Sequence, residues 1–464
     1  MARAKTSQAT RKPPPTAGDP RPYRSRAGGG PARKPKVTTH DGVIKTVLNN
    51  GLTVILQENH NAPVATFWCW YKVGSRHERS GITGISHWVE HMLFKGTKTY
   101  PKATVDKLVS REGGIWNGMT WLDFTTYFET LPAAKIDLAI QIEADRMINS
   151  LFVPKELESE RTVIISERQG GENSPQFLLG EALQAAAFVA HGYHHETIGH
   201  LCDLQSMTRD DLYAHYKTYY APNNCVAVAV GAFDAKDMLA RLNKKFGKIK
   251  PGPTLPKIAS VEPEQKGERR VTVEGDGQTA YIDVAYRAPE ARHADFPALV
   301  VLDAILAGAS GLSLFGGGTT NASSRLYRAL VDTELTTHIS GTLVPTHDPY
   351  LYTFSATVRQ GHTPAQVEAA LDAELHAIVV QPPAQAEVDK AIKQAKAQFA
   401  FGSESVTNQG FWFGFSEVFA DYKWFQNYLP TLARVTVEDV QRVAKEYLVK
   451  SRRTVGTYAP KNQG

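Results

Sequence analysis

No apolar run of 18 residues occurs in this 464-residue chain, which removes a membrane-crossing helix from the possible readings. The longest apolar stretches, such as Ala298–Gly308, are short, and that one is interrupted by Asp303. Cysteine is scarce. Cys69, Cys202 and Cys225 make no C-x-x-C pair and no disulfide framework, so they read as small buried apolar residues. Acids are nearly missing from residues 1–36, which hold ten Lys or Arg against Asp19 alone, a local charge of +9. Because the whole chain is formally +5, the remainder is −4, and the overall basicity says little about partners of the folded body.

Residues 1–38, rich in Pro, Gly, Arg and Lys, have almost nothing to bury and read as a disordered, solvated tail. They lack the apolar segment of a secretory signal, so a cytoplasmic location is expected. A periplasmic or mitochondrial location is the alternative if the N-terminus as written is misleading. The stretch is Arg-rich like a transit peptide, but Pro13–Pro15 and Gly28–Gly30 would break an amphipathic helix. Charge alone would also allow a nucleic-acid arm; a solvated tail is preferred and no nucleic-acid partner is expected.

Hydrophobic residues make up 42% and charged residues 21%, as in an ordinary globular protein, and the length calls for at least two domains. Val43–Leu48 and Leu52–Gln57 flank Asn50-Gly51 and predict a hairpin. A strand over Thr66–Val73 and a helix over Gly84–Phe94 follow. Lys250–Pro256 continues through Gly267 without pattern and reads as a linker between halves of similar length. The halves look like repeats at an offset of roughly 230. Strand Thr125–Leu131, helix Ala133–Leu151 and a helix opened by Pro154 match strand Tyr350–Val358, helix Pro364–Val380 and a helix after Pro383. The expected organisation is a tail to 38, a first domain over 39–249, a linker over 250–268 and a homologous second domain over 269–460. Strands mixed with helices in each half place the fold in the α/β or α+β class.

The chemistry concentrates in His87-Trp88-Val89-Glu90-His91. Histidines four apart leave one helix face and can share an ion, while Glu90 can reach a water on it. With 15 His and 47 acids, chance supplies roughly 0.05 such His-x-x-acid-His patterns in this chain, so coincidence is a poor explanation. A catalytic zinc site needs one more protein ligand and an open position. The helix after Pro154 offers Glu156, Glu158, Glu160 and Glu167. Glu160 and Glu167, two turns apart, share a face with Val163 and Ile164, where a carboxylate needs a partner.

Gly81–Thr97, Gly113–Thr120, Asp123–Tyr127, Glu160–Glu167 and Tyr220–Asn224 together resemble the M16 family, the pitrilysin, insulinase and mitochondrial processing peptidase type, in the family's order. The resemblance implies an α+β fold of two homologous domains, each a mostly antiparallel sheet packed by helices, forming half of a clamshell. It implies a zinc metalloendopeptidase with one Zn2+ held by His87, His91 and Glu167. Glu90 is the implied base, and Glu160 joins it among the catalytic carboxylates, supporting the site from nearby. Asn117, Gly118, Met119 and Thr120, with strand Thr125–Leu131, resemble the edge to which a peptide substrate adds as a strand. In the second half, Phe296–Leu306 has no His, and Ala391 and Gln398 stand where Glu160 and Glu167 would recur.

One departure stands out. The family's second-half Arg and Tyr, which follow a Ser-Arg-Leu start, fall here at Val331 and at Thr337 or His338. Arg325 belongs to the Ser-Arg-Leu signature and reads as structural. The chain therefore looks like a zinc-carrying subunit that needs a related subunit in a heterodimer, or a homodimer, for full activity. A non-catalytic structural subunit is the alternative. His191, His194, His195 and His200 read as structural rather than as a second metal site. The Gly-rich Gly308–Gly318 lacks a P-loop ending and reads as a flexible loop near the peptide chamber.

Overall fold

Asn50-Gly51 does turn a hairpin: Gly51 has φ +90, and the strands on either side pair antiparallel from Val43↔Gln57 to Val47↔Thr53. The computed structural model describes residues 38–309 and 322–461. The basic tail and most of the Gly-rich stretch read as a loop, from Ser310 on, lie outside the described residues. The first sheet contains β1 (Thr38–His40), β2 (Val43–Val47), β3 (Thr53–Glu58), β4 (Val64–Tyr71), β5 (Ile115–Thr120), β6 (Thr125–Pro132) and β7 (Cys225–Gly231). Its order is β1-β2-β3-β7-β4-β6-β5. The second contains β8 (Arg269–Gly275), β9 (Tyr281–Ala288), β10 (Thr336–Leu343), β11 (Tyr350–Val358) and β12 (Arg453–Pro460), in the order β10-β11-β9-β12-β8.

The repeat is visible in this topology. The order β3-β7-β4-β6-β5 in the first sheet is matched by β8-β12-β9-β11-β10 in the second. The parallel pair occupies the same place in each, β3 with β7 and β8 with β12, while the other pairs are antiparallel. Helices pack against both sheets, so the class is α+β with two like halves, as expected. The correspondence reaches single residues. Helix Pro154–Glu172 buries Leu157, Glu160, Ile164 and Arg168. Helix Gln385–Gly402 buries Val388, Ala391, Ala395 and Phe399. Each pair differs by 231 positions.

Two crossing helices lock the halves together. Pro175–Ala187, from the first half, packs on β8, β9 and β12, and Val406–Phe419, from the second, packs on β4 and β7. Trp70 of β4 meets Phe411 and Phe415 with ring centroids 5.3 and 6.3 Å apart. Burying aromatics of this size contributes roughly 1.5–3 kcal/mol each. The approach requires glycine: a Cβ on Gly414 would fall 2.0 Å from Trp70 Nε1, and one on Gly410 would fall 2.6 Å from Trp68 Nε1.

Residues 250–268 contain neither helix nor strand, yet they are pinned down. The Glu262 carboxylate accepts the backbone N–H groups of Val189, Ala190 and His191 at 2.9–3.1 Å. Among the described residues no helix is long and apolar enough to cross a membrane. Cys69 and Cys225 are buried as expected; Cys202 is exposed, because it sits in the first turn of helix Leu201–Ser206 at the surface.

Candidate metal centre

The motif helix, Ile85–Leu93, starts at Gly84, whose φ of +87 breaks the preceding chain. No side chain caps it there, because a Cβ on Gly84 would lie 2.4 Å from Ile198 O. Glu78 does the capping instead: its carboxylate accepts Gly84 N–H at 2.7 Å and Ser86 N–H at 2.8 Å. Ile85, Trp88, Val89 and Met92 form the buried stripe. His87 and His91 leave the other side, 13% and 21% exposed.

The long helix Pro154–Glu172, opened by Pro154 in its first turn, brings up the acids. His87 Nε2 and His91 Nε2 lie 3.2 Å apart, and Glu167 Oε2 is 3.8 Å from the first and 3.7 Å from the second. Donors about 2.0–2.1 Å from one tetrahedral ion would be separated by roughly 3.3 Å, so these three atoms could hold a zinc ion with only small adjustment. Glu167 is half-exposed, which leaves an approach from solvent. Among the described residues no other His, Cys, Asp or Glu group brings three ligand atoms together in this way. The four loop histidines do not gather into one: His195 meets His194 edge-on, lies tilted to His200 and sits 3.7 Å from Glu78.

Glu160 is buried and faces His91, not the open side. Its Oε1 is 2.8 Å from His91 Nδ1, and its Oε2 pairs with Lys95 Nζ. Burial works against the ionised carboxyl, but His91 and Lys95 outweigh it and hold the group below its ordinary range. Burial likewise disfavours the His91 cation, yet Glu160, Glu90 and Glu167 together raise its pKa. His87 is pushed down to about 3 by burial and then by His91. Its Nδ1 has no hydrogen-bond partner, so the two imidazoles are held unequally. Burial raises the Glu90 carboxyl to about 7, against the Thr120 hydroxyl, which donates to Oε2 at 2.7 Å.

The expected substrate residues divide. β5 is the outer strand of its sheet, but β6 pairs on both sides, with β4 and β5. Strand Thr125–Leu131 therefore cannot accept an added peptide; of these two strands, β5 is the one with a free edge. Asn117 is exposed there, and Gly118 is compulsory because a Cβ would meet the Phe94 and Tyr127 rings at 2.9 Å. Met119 packs against the aromatic core instead. Thr120 is buried and serves Glu90. Val163, expected on the acid-bearing face, is 47% exposed; the buried row runs Leu157, Glu160, Ile164, Arg168. Lys95, Arg161 and Arg168 were not singled out by sequence, although Glu160-Arg161 and Glu167-Arg168 repeat one dipeptide at a two-turn spacing.

Residues 53–200 match the family model "Insulinase (Peptidase family M16)", and residues 206–395 match "Peptidase M16 inactive domain". The "Zinc protease PqqE" of Helicobacter pylori is 30% identical over 417 residues, which is 88% of this chain and 90% of that protein. A crystal structure of a protease from Helicobacter pylori superposes with a TM-score of 0.85 at 28% identity, covering 92% of this chain and all of that one. A probable mitochondrial-processing peptidase subunit beta of Arabidopsis thaliana is 29% identical over 289 residues, 62% of this chain and 54% of that protein. The chain belongs to the insulinase family of peptidases, M16.

Proposed function

We propose that this chain is a zinc metalloendopeptidase and the zinc-carrying subunit of its assembly. The observation that carries the proposal is the convergence of His87 Nε2, His91 Nε2 and Glu167 Oε2, 3.2–3.8 Å apart, beside a buried Glu90. Two imidazoles and one carboxylate are a donor set that suits zinc and leaves a position open. When bound, zinc supplies Lewis acidity that polarises a peptide carbonyl and makes water a stronger acid. Glu90 takes the proton of the attacking water and passes it to the leaving amine. The Thr120 hydroxyl keeps the Glu90 carboxylate in place. Glu160 acts through His91, fixing its ring by the bond to Nδ1. The free edge of β5 offers main-chain groups on which an extended peptide adds as a further strand.

Among the described residues the second half holds no equivalent site, and Ala391 and Gln398 occupy the acid positions. A non-catalytic interaction subunit is the competing reading; a retired site would not need to keep all of His87, Glu90, His91 and Glu167. The test combines metal analysis with Glu90→Gln. One zinc per chain should be found in wild type and variant, with peptide hydrolysis of the assembled enzyme lost in the variant. Hydrolysis that survives Glu90→Gln rejects the enzyme reading; a wild-type chain without zinc rejects the metal site.

A further inference from the structure

We propose that Arg168 and Arg161 are positioning residues for the metal site, which they serve by clamping the segment 198–207 between the two helices that carry the ligands. This inference rests on the zinc site proposed above. Arg168 immediately follows Glu167, and one helical step turns its guanidinium away from the ion position and into the buried row. There Nη1 donates to Gly199 O at 2.7 Å and to Glu181 Oε1 at 2.9 Å, and Nη2 donates to Glu181 Oε2 at 3.0 Å. Nε lies 3.0 Å from Glu172 Oε1. Arg161, two turns earlier, donates from Nη1 to Leu204 O at 2.5 Å and from Nη2 to Met207 O at 2.9 Å. Its guanidinium carbon also sits 4.6 Å over the ring of Trp88, the residue after His87.

The same segment grips the start of the motif helix from its other side. Asp203 Oδ2 accepts Gly81 N–H at 3.1 Å, Thr83 N–H at 3.0 Å and the Thr83 hydroxyl at 2.7 Å. His200 N–H donates to Thr83 Oγ1 at 2.8 Å. The two backbones touch: a Cβ on Gly199 would fall 2.2 Å from Thr83 O. Segment 198–207 is thus bonded on one side to the helix of Glu167, through Gly199, Leu204 and Met207, and on the other to the entry of the helix of His87 and His91, through His200 and Asp203. The distance between those helices fixes where the three donors meet, and metal ligands depend on such supporting contacts for their aim.

The molecule supplies its own control. Helix Gln385–Gly402 repeats the packing of the acid-bearing helix 231 positions later, with Phe399 in place of Arg168 and Ile392 in place of Arg161. The fold therefore builds this helix layer from apolar side chains when no ligand has to be aimed. The two arginines occur in the half that has ligands to place.

The experiment is a zinc competition against a chromophoric chelator, on folded protein, with Arg168→Gln and Arg161→Met beside wild type. Arg453→Gln serves as the structural control: Arg453 is buried in the other half, 3.0 Å from Glu268 and paired with Glu368 and Asp372. Each positioning variant should weaken zinc binding about 10- to 100-fold. It should also alter the visible spectrum of the cobalt-substituted protein. Arg453→Gln should lower thermal stability with zinc affinity within about twofold of wild type. If Arg168→Gln does not fold, Glu181→Gln, which removes one carboxylate from the fork, takes its place with the same expectation. Zinc affinity and cobalt spectrum equal to wild type in the arginine variants overturn the proposal, as does an equal loss in Arg453→Gln. Absence of zinc from the wild-type chain would instead remove the function proposed above.

Discussion

Glu160 Oε1 lies 2.8 Å from His91 Nδ1, whereas the equivalent nitrogen of His87 is buried without any partner. The two histidines of one motif are thus unequal: one ring has its tautomer and angle fixed by a carboxylate on Nδ1, and the other has no such anchor on that nitrogen. Glu160→Gln can still bond to His91 but loses the charge and the pairing with Lys95. Zinc affinity should fall about 10- to 100-fold in this variant, with peptide hydrolysis falling in step once zinc is limiting. A competition assay with a chelator reads this directly, and affinity equal to wild type would show that Glu160 does not act through His91.

The seam between the halves makes a separate prediction. Gly414→Ala places a methyl group 2.0 Å from Trp70 Nε1, inside a stack of aromatic rings that has no slack. Overpacking of this kind costs about 1–3 kcal/mol. Chemical denaturation should show a loss in that range with the zinc stoichiometry unchanged, because the contact is made on the sheet face away from the motif helix. Stability equal to wild type would mean that the crossing helix can slide over β4.

The contrast between these two sites shows what was legible in the sequence. Local signals read well. Tyr350–Val358 and Pro364–Val380 have the bounds that pattern gives them, and Asn50-Gly51 turns where its chemistry says it must. The His pair is also legible from helical spacing; the two-turn repeat offers both Glu160 and Glu167, and it is the M16 resemblance that implies Glu167, whose carboxylate lies beside the two histidines. What could not be read depends on partners far along the chain. Nothing in Pro175–Ala187 or Val406–Phe419 says that each lies on the sheet of the other half. The order β4-β6-β5 depends on which strand ends outermost, so β6 looked as free as β5. Arg168 looks like a solvated residue on a charged helix until Gly199 O and Glu181 are placed around it.

Buried histidines set the response to acid. His215 is pushed down to about 3 by burial, from an ordinary 6.5, and its Nε2 lies 3.2 Å from Ser86 Oγ beside the motif helix. The folded state therefore binds fewer protons at this site than the unfolded chain between about pH 3 and pH 6.5. Its contribution to stability is complete above pH 6.5 and is lost as pH falls through that window. In His215→Gln the residue no longer titrates. The stability of wild type relative to this variant should shrink steadily from pH 7 to pH 4, measured by denaturation at each pH on chelator-treated protein. A constant difference would show that the imidazole is already solvated or charged in the fold.

The last prediction concerns what the second half does not carry. Val331 ends the helical turn Tyr327–Val331 and is half-buried against the core of its own half, while Thr337 and His338 are exposed on β10, the outer strand of the second sheet. None of these positions offers a guanidinium or a phenol to a substrate. If the Arg and Tyr expected there come from a related subunit, the isolated chain should bind zinc fully but hydrolyse peptides slowly. Adding that subunit should raise kcat far more than it lowers KM, because the ligands and Glu90 are already in place and only groups on the reacting carbonyl are missing. Steady-state kinetics with and without the co-purified partner measure the split. Full activity of the isolated monomer would mean that this chain completes its own site, and that the residues gripping the carbonyl lie elsewhere than Val331, Thr337 and His338.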